Sequence, residues 1–471
     1  MHLDDTEFLS TVKLNILFLD DNINTKVCKH IENRANVQNM LTLFQFSNCF
    51  NLKNFADVAF KYIERCFTML VDSDNFLELD YNVVSKLLAS SKLDITSELE
   101  VLTASFAWIR YQFKTRRKFA KDILLKVRLP SISYDALEFT LDKNISLYET
   151  EKCLTMLSEV LDSTQHMIRN NSGVKYTTRH CEQNRYNTLI CGGFNSALFE
   201  FVEDSVNQLK GTNLNSVEYL SSMRTSRKFF EAVYLKGGVY VFGGMDNHKS
   251  QIMNIERYSL ATNSWNIVAE MYDKRTDFCV CAFANKIFVI GGEFWNHPYW
   301  NPISSCMQFD TKTYKWKEVA RMSDVRAKAA CAVFKERLVV CGGRGARSHK
   351  LNAVESYDVI TDTWKPMANM ILERSCHSLL VVRDKLFVIG SATDTCEVFD
   401  NVAKKFVAFN SPSITSVHSN NVVSIANKIY AFQDNIPLVL CYDVDKHEWS
   451  EVPCEVTKNL SDFSCVKVPW F

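Results

Sequence analysis

Two hydrophobic rhythms divide the chain. From Phe8 to about Met167, apolar positions recur at the 3.6-residue spacing of helices. Val101, Leu102, Ser105, Phe106, Trp108 and Ile109 fall on one helical face, and Phe55, Val58, Ala59, Tyr62 and Ile63 form a similar stripe. Ser97, with Glu100 three residues later, predicts a capping box at the start of the first of these helices. Short polar turns, such as 71–75 and 90–94, separate the runs, so this part of the chain predicts a helical bundle or stacked helix pairs.

Beyond about residue 183 the rhythm changes to short apolar runs, each followed by a pair of small or polar residues. Gly192/Gly193, Gly243/Gly244, Gly291/Gly292 and Gly342/Gly343 are followed by Gly390/Ser391 and Gln433/Asp434, at intervals of 51, 48, 51, 48 and 43. Five of the apolar runs are preceded by a turn pair and a second apolar run, which is a β-hairpin pattern. A second register runs through the other half of the unit. Tyr258, Phe309, Tyr357, Phe399 and Tyr442 each precede, by seven residues, Trp265, Trp316, Trp364, Phe406 and Trp449. Met271, Met322 and Met370 follow the first three tryptophans by six residues, and Arg275, Arg326 and Arg374 follow those methionines by four; Met223 and Arg227 repeat the step. From the second residue of each pair to the next aromatic the distance is 14, 17, 14, 8 and 8, so length varies in the loop after the double glycine. Such a period, with variation in one loop, predicts a six-bladed β-propeller with its variable loops on one face. The run at 463–469 reads as one more strand, available to complete blade one.

Composition narrows the partners. Apolar residues make up 47% and charged residues 23% of 471 positions, and Lys+Arg equals Asp+Glu at 54 each, which argues against nucleic acid or an anionic membrane as the main partner. No glycine precedes Gly173, and Pro130 is the one proline in the first 172 residues, which excludes a turn-rich β domain there. Sixteen scattered cysteines without a C-x-x-C pair give neither a disulfide framework nor a zinc site; with no leader-like or membrane-length apolar run, they predict a reducing cytoplasmic or nuclear setting.

The segments SNCFNLKNFAD at 47–57, FLELD at 76–80, the 98–111 helix and LLKVRLP at 124–130 resemble the BACK domain of BTB-BACK-Kelch (kelch-like) proteins, and the C-terminal units resemble kelch repeats. The resemblance implies a multidomain chain: an all-α BACK-type domain followed by an all-β six-bladed kelch propeller. The expected boundaries are a remnant of BTB C-terminal helices at 1–32, the BACK-like domain at 33–170, a linker at 171–182 and the propeller at 183–471. A full BTB fold does not fit ahead of residue 33.

Nothing in the sequence has a catalytic pattern, and no cofactor or metal is expected: there is no H-E-x-x-H, G-x-S-x-G or phosphate loop, and the ligands of copper-dependent kelch-type oxidases are missing. The variable loops are the candidate partner-binding surface. Blade three carries Trp295, His297, Tyr299 and Trp300 outside the repeat positions, and exposed aromatics anchor interfaces. Blade four carries Arg344, Arg347 and His349 in a donor-rich loop suited to an acidic peptide. The registered Arg227, Arg275, Arg326 and Arg374 either ring the opening or hydrogen-bond between blades. The resemblance implies a non-catalytic adaptor whose propeller holds a target protein for a cullin 3 ubiquitin ligase, with cullin docking weakened by the incomplete BTB domain. The alternative is an actin-binding cytoskeletal scaffold.

Overall fold

The helical periodicity and the repeat register each produce their own unit. In the computed structural model of the chain, the described residues are 37–129 and 186–469, apart from short breaks at 51, 72, 94, 96–97, 196–200, 211–213, 215, 261, 284–285, 297–298, 336, 383–384, 392, 415–420 and 426. Chain contacts divide the protein at Cys181/Glu182. The expected BTB remnant, the Ser97 cap and the 171–182 linker lie outside the described residues.

The first unit is all helix: α1 (Val37–Cys49), α2 (Lys53–Arg65), α3 (Phe67–Val71), α4 (Asp74–Glu78), α5 (Tyr81–Ala89), α6 (Glu98–Tyr111), α7 (Phe113–Arg116), a 3-10 turn (Arg117–Phe119) and α8 (Ala120–Leu125). The six stripe positions of α6 from Val101 to Ile109 are all buried, and the five apolar ones share one core with Phe44, Phe67 and Phe76. Asp80 starts α5 by accepting from the Val83 N–H at 3.0 Å, which satisfies one of the donors a helix start leaves unpaired. Trp108 is buried and its Nε1 donates to the Leu79 carbonyl at 2.8 Å, while the Arg116 guanidinium lies 4.1 Å from its ring. The polar ends of both large side chains are thereby paired, as burial requires.

Among the described residues the second unit has six antiparallel blade sheets and one separate two-stranded antiparallel sheet. Blades two to six follow one plan, with strands at Glu231–Leu235, Gly238–Phe242, Asn254–Ser259 and Ser264–Glu270 in blade two, and Ala330–Phe334, Arg337–Cys341, Val354–Asp358 and Thr363–Pro366 in blade four. The first strands of successive blades lie side by side around a closed ring, and Ser464–Pro469 takes that place in blade one. Ser464–Pro469 pairs antiparallel with Tyr186–Asn195, from Tyr186 opposite Pro469 to Cys191 opposite Ser464. The ring is thus closed within blade one, where the C-terminal strand and the strand at 186–195 are joined by backbone hydrogen bonds. Separate apolar clusters fill the seams between neighbouring sheets, for example Cys279, Phe288, Ile290, Leu338, Val340 and Tyr357 between blades three and four. The second strand of a blade is buried on both faces, which is why it reads as an unbroken apolar run such as Gly238–Phe242.

Candidate functional site

The registered arginines are interior side chains. Arg227, Arg326 and Arg374 have no exposed surface and Arg275 has 2%, so they are not available to a partner, and the expectation that they ring the binding face is corrected. Each guanidinium Nη1 donates to the carbonyl of the first residue of its own blade's Gly pair, 16 positions along the chain: Arg227 to Gly243 at 2.9 Å, Arg275 to Gly291 at 3.0 Å, Arg326 to Gly342 at 2.8 Å and Arg374 to Gly390 at 2.6 Å. The backbone of the same arginine reaches the preceding blade: the N–H of Gly292 donates to the Arg326 carbonyl and that of Gly343 to the Arg374 carbonyl, both at 2.8 Å. One residue therefore ties two blades, and the repeat spacing is a hydrogen-bonding distance. The first glycines are needed at these crossings. A Cβ on Gly291, which has φ +62°, would stand 2.5 Å from the Arg326 carbonyl oxygen.

A buried guanidinium needs a counter-charge, and the sequence reading missed its source. Glu256, Glu355 and Glu397 pair with Arg227, Arg326 and Arg374 at 2.5, 2.8 and 3.0 Å. The three carboxylates also accept backbone N–H groups from the loop entering the blade, those of Arg224, Ser323 and Ile371. The signal was present: each Glu stands two residues before the registered Tyr or Phe. Blade three has Met307 there, and Asp273 pairs with Arg275 instead. Burial pushes the Glu355 carboxyl up, but the Ser323 N–H and Arg326 outweigh it and its pKa ends below the ordinary value. The tryptophans are structural too: the indole N–H groups of Trp265, Trp316, Trp364 and Trp449 donate to the Ser221, Glu270, Ala320 and Asn410 carbonyls of the preceding blade.

What remains exposed is the blade-three insertion. Glu293–Asn296 and Tyr299–Pro302 form a separate two-stranded hairpin between the second and third strands of that blade. Trp295 faces Trp300 across it, with ring centroids 5.1 Å apart, and Trp295, Tyr299 and Trp300 are 47%, 71% and 37% exposed. An aromatic pair across antiparallel strands stiffens a hairpin that has no third strand, and leaves the outer faces of both rings to solvent. His297 lies outside the described residues.

The hairpin base and the blade-four loop are coupled. Arg344 forms an ion pair with Glu293, whose side chain is buried, so this arginine is a tether between the two loops rather than a free donor. Burial, with Asp277 alongside, raises the Glu293 pKa against the opposing pull of Arg344. Arg347 and His349 are exposed; Arg347 sits in the left-handed region at φ 57°, which turns the loop outward, and the His349 ring contacts the Ala346 carbonyl. Beneath the hairpin a cleft is lined by Lys274, Phe294, Pro302, Arg321 and Val325. Lys274 and Val325 fall in the three-residue gaps between registered Met and Arg, whose content differs from unit to unit, and that variability between fixed landmarks was the available sign of exposure.

Family comparisons match both units. Residues 40–141 match the family model described as "BTB And C-terminal Kelch", and residues 184–391 match the "KLHDC2/KLHL20/DRC7 Kelch-repeats domain". The chain belongs to the kelch-like proteins. It is 26% identical to Kelch-like protein 7 of Rattus norvegicus over 391 residues, covering 80% of this chain and 64% of the relative, and 26% identical to the Homo sapiens protein of that name over 376 residues, covering 78% and 61%. Kelch repeat and BTB domain-containing protein 3 of Homo sapiens is 21% identical over 496 residues, covering 96% of this chain and 78% of the relative. The chain thus spans somewhat under two thirds of the Kelch-like protein 7 sequences it matches. Within these 471 residues the kelch-like architecture is represented by BACK and Kelch regions, with BTB largely absent. Among the described residues no helix is long and apolar enough to cross a membrane, and no group of three or more His, Cys, Asp or Glu side chains could hold a metal ion.

Proposed function

We propose that this kelch-like chain is a protein-binding adaptor whose target docks on the propeller face formed by the blade-three hairpin and the 344–350 loop. The observation that carries the reading is the Trp295–Trp300 pair: a hairpin outside the four-strand plan, with large aromatic area turned to solvent beside a cationic loop. Aromatic side chains on a rigid support lose little entropy on binding and supply most of the energy of a small interface. Arg347, His349 and Lys350 add donors for carboxylates on the target. In this reading the BACK unit connects the target to a cullin 3 ubiquitin ligase, and these 471 residues by themselves, in which BTB is largely absent, bind cullin 3 weakly.

Proximity labelling in cells with the full chain, compared with the Trp295→Ala/Trp300→Ala and Arg347→Ala/His349→Ala variants, tests the face. The expected result is one set of partners lost from both variants. Partners retained by both would overturn the assignment. Tight co-purification of cullin 3 with this chain would overturn the docking statement, and co-sedimentation with filamentous actin that survives both variants would favour a cytoskeletal scaffold.

A further inference from the structure

The helical unit has a charge asymmetry that the propeller reading does not use. Residues 37–109 carry five basic and nine acidic side chains, whereas 110–128 carry eight basic and one acidic. Of these, Arg116 is buried against Trp108, and Lys126 pairs with Asp122 at 3.6 Å. Lys114, Arg117, Lys118 and Lys121 are exposed, and among the described residues none of the four is in an ion pair. Arg117, Lys121 and Leu125 follow one another at four-residue steps from the 3-10 turn into α8, which places them on one side of the helix, about 5–6 Å apart. Leu125, at one end of this stripe, is 56% exposed, and Tyr111, ahead of the turn, is 49% exposed.

We propose that this stripe docks an acidic polypeptide segment carrying an apolar residue beside its carboxylates. Carboxylates at alternate positions of an extended segment recur about 6.8 Å apart, within reach of successive long Lys and Arg side chains. Leu125 offers the apolar neighbour a place to bury. The stripe is narrow. Glu78 and Asp80 are exposed on either side of Leu79, whose carbonyl accepts from the Arg116 guanidinium, so carboxylates lie near the cationic strip. A single extended polypeptide can follow the strip alongside that border, whereas the phosphates of a duplex or a planar anionic bilayer would meet it.

The test titrates the full chain with a fluorescein-labelled decapeptide of eight glutamates and two leucines, and with its all-glutamine counterpart. Arg117→Glu/Lys121→Glu changes the net charge by the same amount as Lys53→Glu/Lys61→Glu, made on exposed positions of α2. The stripe predicts that the first variant weakens binding about ten-fold or more and the second, whose lysines are not part of the stripe, changes it less than about two-fold. The glutamine peptide is expected not to bind, and affinity of the unaltered protein is expected to fall as salt rises. Equal weakening by both variants, absence of glutamate-peptide binding, or tighter binding to phosphatidylserine vesicles or a 20-base-pair duplex than to the peptide would each overturn the proposal.

Discussion

Blades three and four put an arginine at the same register position and neutralise it differently. In blade four Arg326 meets Glu355, buried on the third strand and also holding the Ser323 N–H, in addition to the half-exposed Asp324 at 3.4 Å. In blade three Met307 occupies the strand position, and Arg275 meets Asp273, two residues before it on the connecting loop and 41% exposed. The blade whose strand gave up the carboxylate is also the one carrying the extra hairpin. The difference separates two tasks the repeat otherwise fuses: the arginine–glycine link holds neighbouring blades, while the strand carboxylate additionally clamps the incoming loop. Blade three keeps the guanidinium bond to its own Gly291 and relaxes the loop clamp beside its exposed aromatics.

The comparison can be broken at several points. Glu355→Ala removes one partner of a buried pair and is expected to cost about 3 kcal/mol or more, against about 1 kcal/mol or less for Asp273→Ala at its solvated pair, read as urea-unfolding midpoints. Equal losses would end the distinction between the blades. A second handle is pH. Three residues after each registered Arg stand Phe230, Phe278, Ala329 and His377, so only the seam between blades four and five can titrate there. Burial, reinforced by the Arg374 charge, holds His377 down to about 3. The unfolded histidine takes up a proton below about 6.5 and the folded one does not, so this contribution is present above pH 6.5 and lost as pH falls toward 3, by about 1.4 kcal/mol per unit. His377→Gln should flatten that part of the stability–pH curve, whereas an unchanged slope would exclude the residue as its source.

Smaller effects sharpen the picture. Gly291→Ala is expected to cost about 1–3 kcal/mol, since its left-handed backbone and the Arg326 carbonyl oppose a Cβ. Gly345→Ala, where the Cβ meets mainly the mobile end of His349, should change stability by less than about 0.5 kcal/mol. Trp300→Ala is expected to cost only about 1 kcal/mol of hairpin packing yet to abolish target capture. Circular dichroism melts alongside the labelling experiment would distinguish this from a collapsed blade.

Much of this was legible because the repeat is written in backbone requirements. Double glycines, the Tyr-to-Trp step and the Met-to-Arg step each answer a fixed crossing of chains, and they survive in blades whose other residues differ. The stripe from Val101 to Ile109 was legible for the same reason, as one face of one helix. The arginines misled because a repeated cation near variable loops has the same sequence appearance whether its guanidinium turns outward or inward. Glu256, Glu355 and Glu397 would have decided the matter, but the link depends on a contact 23 to 29 residues away that strand pairing creates. Likewise the tether from Arg344 to Glu293 joins loops of two blades, 51 residues apart, and no local pattern announces it.

The pairing of Ser464–Pro469 with Tyr186–Asn195 sets an order on the making of the protein. Blade one is synthesised early and its innermost strand late, so roughly 270 residues must leave the ribosome before that sheet is complete. At the synthesis rates of about 5–20 residues per second, its free edge stays unpaired for some tens of seconds, a window in which a chaperone or a second nascent chain can reach it. A premature stop between residues 454 and 463 would make that interval permanent, leaving five complete blades and an open edge.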